Sequence, residues 1–204
     1  LPQVITSAIA ISLVPVISSA YAVNDIKRTR ENTNLAIRVS LLIGLPCAVG
    51  LFVLATPIIG LLYPNEPASV GGILAIMAIG VVFLSLIQSF TSVLQGMGKA
   101  HIPVFNLFVG AAVKFVLTYV LTALPSLNVK GAAISTVVAY VVAAVLDYFS
   151  VKKYLGLKFS VNDFLFRPLI TAGIMGIIAR VTYVLTVPFV GNSISTLLAV
   201  AVGG

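Results

Sequence analysis

The sequence predicts an all-α fold, a polytopic transmembrane bundle of about seven helices, and three observations predict it. Hydrophobic residues make up 60% of the 204-residue chain and charged residues only 8%, whereas a soluble domain carries about 25% charged residues. The mean hydropathy is +1.17. The apolar residues gather in seven runs, each near the roughly 20 residues that cross a bilayer core. The runs are continuous rather than alternating. Of the two architectures that satisfy every backbone polar group in lipid, that pattern suits the helix and not the barrel strand.

Taken in order, the runs are Pro2 to Tyr21, Leu35 to Leu62, Val70 to Leu94, Pro103 to Leu124, Gly131 to Phe149, Leu165 to Val187, and Ser193 to the end. The second run is long enough to tilt or to begin among the headgroups, where Arg38 can snorkel. Pro15, Pro46 and Pro57 fall inside the first two runs, and each removes a backbone donor and frees a carbonyl four residues back, which predicts bends. Ala172 and Gly176 in the sixth run, spaced by four, permit close helix approach. The chain lacks an initial Met and a basic leader, and it starts and stops inside apolar runs. It is expected to be a piece of a longer protein whose last helix is truncated.

The cations set an orientation. Lys27, Arg28, Arg30, Arg38, Lys99, Lys152, Lys153, Lys158 and Arg167 all lie in or beside the loops after the first, third and fifth runs, while the other loops carry only Lys130. The positive-inside rule places the loops near residues 22–34, 95–102 and 150–164 in the cytoplasm and the start of the chain outside. The net charge of +7 therefore points to lipid headgroups, and no nucleic-acid partner is expected.

Catalytic chemistry is poorly supplied, so no enzyme is expected. Cys47 is the single cysteine and His101 the single histidine, which leaves no disulfide framework and no metal-ligand spacing. The five acids, Asp25, Glu31, Glu66, Asp147 and Asp163, fall in loops or at the ends of the runs, and none pairs for acid–base work. Gly96-Met97-Gly98-Lys99 lacks the full glycine pattern and the preceding strand of a phosphate loop, so it reads as a tight turn. No cofactor and no metal are expected.

The polar residues within the runs carry the functional signal. In the fourth run Asn106, Gly110, Lys114, Thr118 and Thr122 recur at steps of four, a stripe along one helical face. In the third, Ser85, Gln88, Ser89, Ser92 and Gln95 recur at steps of three and four, and the two stripes are expected to line one cavity. Hydroxyl and amide groups in such stripes also bond helices together, at about 0.6 kcal/mol each. Lys114 is different in kind. A lysine at mid-helix costs about 3 kcal/mol to insert, so it faces a bundle interior or wet cavity and marks a functional site. No acid lies at its depth, and Asp147 is read as sitting at the cytoplasmic end of its helix. Arg180, two turns from the outer end of the sixth run, can snorkel or can bind a lipid phosphate bidentately. The candidate substrate-binding residues are thus Lys114, Asn106, Thr118, Gln88, Gln95 and Arg180.

A family resemblance rests on Leu94-Gln95-Gly96-Met97-Gly98-Lys99, then Ile102-Pro103, Asn106, Gly110 and Lys114, then Gly131-Ala132-Ala133-Ile134-Ser135-Thr136 and Tyr140. With Leu13-Val14-Pro15-Val16-Ile17-Ser18, Asn24-Asp25, Gly44-Leu45-Pro46 and Gly50-Leu51, these resemble the polysaccharide-biosynthesis and stage V sporulation protein B group. That group sits among the multidrug and oligosaccharidyl-lipid exporters and is related to the lipid II flippases. The resemblance implies a two-lobed transporter of about fourteen helices, of which this chain is the second lobe. Residues 1–149 would hold family helices eight to twelve, and residues 150–204 two additional C-terminal helices, the last truncated. It further implies a bacterial plasma-membrane flippase that moves a lipid-linked oligosaccharide or pyrophosphate lipid by alternating access, with membrane lipids and the missing N-terminal lobe as partners. Lys114 matches the family lysine of its helix. The family's arginine-rich binding residues belong to the first lobe, and the first run here has no arginine. The sixth and seventh runs, lacking polar stripes, would pack outside the lobe and form a groove for the lipid tail. A multidrug or cation antiporter and a non-transporting membrane scaffold are the rival expectations.

Overall fold

The computed structural model describes residues 2–63, 69–125, 127–156 and 167–203, and every element in them is helical. The helices are α1 (Pro2–Ala22), α2 (Ile26–Val53), α3 (Ala55–Leu62), α4 (Ser69–Gly96), α5 (His101–Thr122), α6 (Asn128–Leu155) and α7 (Arg167–Gly203). Glu66, Lys158 and Asp163 lie outside the described residues. Five helices are long and apolar enough to cross a membrane, namely Ile26–Val53, Val70–Gly96, His101–Thr122, Asn128–Leu155 and Pro168–Pro188, and Thr6–Ala22 is a shorter apolar helix. The protein is a multi-pass, all-helical membrane bundle.

The second apolar run resolves differently from its hydropathy. Asp25 caps α2 by accepting a 3.0 Å hydrogen bond from the Arg28 backbone N–H, so the charged stretch from Ile26 onward is already helical. The run is also cut in two. Pro57 has no N–H to offer the Val53 carbonyl, the helix breaks at Leu54 (φ −99°, ψ 12°), and Pro57 falls in the first turn of α3, where proline is tolerated. Pro15 and Pro46, by contrast, lie inside helices that continue through them.

The ends of α6 explain a second difference. Hydropathy closes the fifth run at Phe149, but α6 continues to Leu155 and stops at Gly156, which takes the left-handed conformation (φ 58°, ψ 38°). The Arg30 guanidinium, reaching across from α2, donates to the Leu155 carbonyl. Asp147 is therefore not at a helix terminus. It sits two turns inside α6 and is 1% exposed.

α7 comprises two helices joined at Gly191, whose φ of 76° and ψ of 173° no helix allows. The chain reverses there, because Ala179 and Ala199 share one buried cluster with Leu54. Tyr183 closes the reversal by donating its hydroxyl to Asn192 Oδ1 at 2.8 Å.

α4 is the hub. It packs against α1, α2, α3, α5 and α6, and the largest core cluster spans Ile17, Ile37, Leu41, Phe90, Leu94, Val151, Leu155 and Ala172. At the two edges, α5 rests on α6 with a smaller contact to α4, and α7 touches only α2 and α3 among the described residues. α7 thus lies at one edge of the described bundle, with Ala172 reaching its core.

Because the backbone at Gly191 occupies a region essentially restricted to glycine, Gly191→Ala should destabilise the fold by about 1–3 kcal/mol. Gly173→Ala, helical and with nothing within 4 Å of its added carbon, should not. Thermal unfolding of the detergent-solubilised protein measures both, and equal midpoints for the two variants would contradict the assigned turn.

Candidate functional site

The α5–α6 hairpin has one register, visible in three separate contacts. Asn106 Nδ2 donates to Asp147 Oδ1 at 2.8 Å, Thr118 Oγ1 and Ser135 Oγ are 2.6 Å apart, and a Cβ on Gly110 would lie 3.3 Å from the Ala143 Cβ. In each pair the residue numbers add to 253, as they must along one antiparallel seam folded about a single turn. The seam is tight. The same Cβ on Gly110 would stand 3.0 Å from the Ala139 carbonyl oxygen, so only glycine lets the two backbones approach this closely.

Most of the fourth-run stripe is therefore bonded rather than wet. Asn106 is 7% exposed and also reaches Ser150 Oγ at 3.3 Å, and Thr122 bonds to the Thr118 carbonyl of its own helix at 2.6 Å. Lys114 is the exception. By the same register it stands opposite Ala139, too small to engage it, and its side chain is exposed. No acid pairs with it among the described residues, since Asp147 is bonded to Asn106 two turns away. Among the described residues α5 touches only α6 and α4, which leaves much of its surface, with Phe108, Phe115 and Tyr119, uncovered.

The third-run stripe does not line a cavity with it. Ser85, Ser89 and Ser92 are buried, Ser89 bonds Ser40 of α2, and Ser85 and Ser92 return to the Val81 and Gln88 carbonyls at 2.9 and 3.0 Å. Two backbone stripes that look alike in sequence thus serve two different seams, α4 with α2 and α5 with α6. Gln88 is half-buried, and its Oε1 lacks a partner among the described residues. Gln95 is exposed at the end of α4.

Arg180 lies apart from all of these, on α7, which has no contact with α5. It is exposed, its guanidinium is 5.9 Å from the Tyr183 ring, and it borders a groove of about 670 Å³. Val49, Phe52, Val53 and Thr56 form one wall of that groove, and Gly176 and Ile177 stand with Arg180 on the other. The structure brings Asn106, Lys114 and Thr118 together and leaves Gln88, Gln95 and Arg180 elsewhere. Sequence reasoning missed Asp147, Ser150 and Ser135 as the partners in the seam. Reflecting the fourth run about the 126–127 step sets Asp147 opposite Asn106 and Ser135 opposite Thr118.

The described residues form a hub-and-edge bundle of helices long and apolar enough to cross a membrane. The family described as "Lipid II flippase MurJ" matches residues 1–200, and the chain belongs to that family. Among curated relatives, "Stage V sporulation protein B" of Bacillus subtilis is 29% identical over 164 residues, 80% of this chain and 31% of that protein. "Lipid II flippase MurJ" of the same organism is 24% identical over 100% of this chain and 39% of its own length. "Uncharacterized membrane protein YabM", also of B. subtilis, is 29% identical over 75% of this chain and 28% of its own length. Among solved structures, "Lipid II flippase MurJ, inward closed conformation" shares the fold at a TM-score of 0.70 and 23% identity, over 98% of this chain and 42% of that one. The chain spans well under half the length of each of these relatives.

The close α5–α6 approach should be the costly element to disturb. Gly110→Val must push a branched side chain into the Ala139 carbonyl and should cost about 1–3 kcal/mol, whereas Thr118→Val, which removes one interhelical hydroxyl bond, should cost about 0.6 kcal/mol. Reversible unfolding in mixed micelles ranks the two. A larger loss for Thr118→Val would contradict the packing described.

Proposed function

We propose that this chain is the second lobe of a flippase that carries a lipid-linked cell-wall or polysaccharide precursor across the plasma membrane by alternating access. The observation that carries the reading is Lys114, an exposed and unpaired ammonium at mid-helix on the uncovered face of α5, in a chain of the MurJ family. In a low-dielectric site an isolated cation attracts a polyprenyl pyrophosphate far more strongly than it would in water. Since burying that cation alone is costly, the anion and the lysine stabilise each other. The lobe missing from this chain would complete the cavity over α5 and contribute further cations. The protein is read as a transporter and not an enzyme.

The other candidates take secondary roles in this reading. Asn106 and Thr118 hold α5 at the height that presents Lys114, while Gln88 and Gln95 offer amide groups from α4 on the cytoplasmic side. Arg180 would bind phosphate near the outer headgroups, and the mainly apolar groove beside it suits an alkyl chain. Residues 150–204 act in this reading as an outer pair of helices added to the lobe formed by residues 1–149. A multidrug or cation antiporter of the same superfamily would instead need an intramembrane carboxylate in the other lobe, and a scaffold would need no transport at all.

In the full-length protein, Lys114→Ala should abolish translocation of the lipid-linked precursor while membrane abundance stays near wild type. Lys114→Arg should keep part of the activity, since the charge survives although shape and hydration change. Wild-type translocation by a well-expressed Lys114→Ala protein would end the proposal, and a loss of abundance alone would assign the lysine to folding.

The orientation follows from the cation distribution and is open to a direct test. Cysteines placed near Asn65 and Asn192 should react with an impermeant thiol reagent from outside the cell, and one near Asn162 should not. The reverse labelling pattern would invert the lobe.

A further inference from the structure

Asp147 is a second ionisable group inside the helical bundle, and the transport reading makes no use of it. It is 1% exposed, in the half of the α5–α6 contact away from the connecting turn, and the neutral amide of Asn106 donates to its carboxylate at 2.8 Å. Among the described residues no cation is bonded to it, although α2, which touches α6, carries Arg38 as well as Arg30, and Arg38 has a partner of its own. α4 (Ser69–Gly96) contains no charged residue, and α5 contains only His101 in its first position and Lys114 two turns beyond Asn106. From α2, which touches α6, Arg30 is committed to the Leu155 carbonyl. On α6 itself Lys152 lies 5.9 Å from the Tyr148 ring centroid, and Lys99, from the α4–α5 turn, lies 4.1 Å from that of Tyr154. Asn106 donates to both Asp147 and Ser150 through the same nitrogen.

A carboxylate removed from water without a cation partner is strongly disfavoured as an anion, and a proton is the smallest cation that relieves it. From this geometry we infer that Asp147 is a proton-binding site of this lobe. Asp147 lies in the cytoplasmic half of the seam if the loop near residues 150–164 is cytoplasmic, a placement shared with the proposed function. The proton site itself does not depend on what is transported.

The test uses the full-length protein in native membranes and reads protonation without reading transport. Dicyclohexylcarbodiimide, an apolar reagent, adds across the O–H of a protonated carboxylic acid and rearranges to a stable N-acylurea, which peptide mass mapping locates. Asp147 should acquire the adduct, and adduct formation should fall through one ionisation as the pH rises. A water-soluble carbodiimide should label it at least tenfold less, and Asn106→Ala should move the midpoint of the pH profile. Absence of the adduct over the whole pH range would overturn the inference, as would an adduct yield indifferent to pH. Protection by sodium at fixed pH would also overturn it and assign the site to a metal cation. As a second measurement, Asp147→Asn should flatten the pH dependence of precursor translocation. Failure of that measurement with intact labelling would count against coupling to transport and leave the proton site standing.

Discussion

Lipid gives helices no hydrophobic reason to associate, so this lobe depends on how closely α4 can be approached by its neighbours. Five helices meet it, and they do so over small or hydroxyl-bearing residues that let backbones come near one another. A Cβ on Gly44 would lie 3.0 Å from Ser85 Oγ, and one on Gly80 would lie 3.3 Å from the Tyr140 ring. Ser40 and Ser89 bond directly across the α2–α4 contact. Each such contact satisfies a polar group that would otherwise meet hydrocarbon, so packing and hydrogen bonding are one requirement here rather than two.

The edges of the bundle differ from its hub for the same reason. α5 is tied along one face to α6 and presents Phe105, Phe108, Phe115 and Tyr119 outward, while α7 is tied to α2 and α3 and presents Ile177, Leu185 and Leu197. Aliphatic surface alone is what lipid covers. Both edges also carry an exposed cation, Lys114 near the middle of α5 and Arg180 on α7 beside Tyr183, and in the proposed reading the greater depth of Lys114 gives α5 the polar task.

Much of this was legible in the sequence because apolar length is a strong signal. Every run corresponds to helix in the described residues, and Lys114 stood out by depth alone. Helix ends were less legible where a soluble extension continues a spanning helix. The charged residues from Ile26 to Glu31 and the Lys152–Lys153 pair look like loops by hydropathy, yet Asp25 caps one helix and Gly156 ends the other. That error in α6 hid Asp147, since an acid placed at a terminus needs no explanation. The stripes misled in the opposite sense. Periodicity shows that polar residues share a face, but it does not show whether the face meets water or another helix, and Ser85, Ser89 and Asn106 all meet another helix.

Lys114 and Asp147 belong to the same seam without forming an ion pair, and their separation is set by the register. Asp147 stands opposite Asn106, which precedes Lys114 by two helical turns, or roughly 12 Å along the axis. At that distance and an effective dielectric constant of about 20, two unit charges interact by about 1.4 kcal/mol. The pair is thus too far apart to neutralise each other and close enough to be felt. In the proposed reading, protonating Asp147 removes a negative charge from the surroundings of Lys114 and favours its anion-bound state, by less than this figure because the exposed ammonium is screened. Any coupling between the two charges would then act through the α5–α6 register rather than through a direct bond.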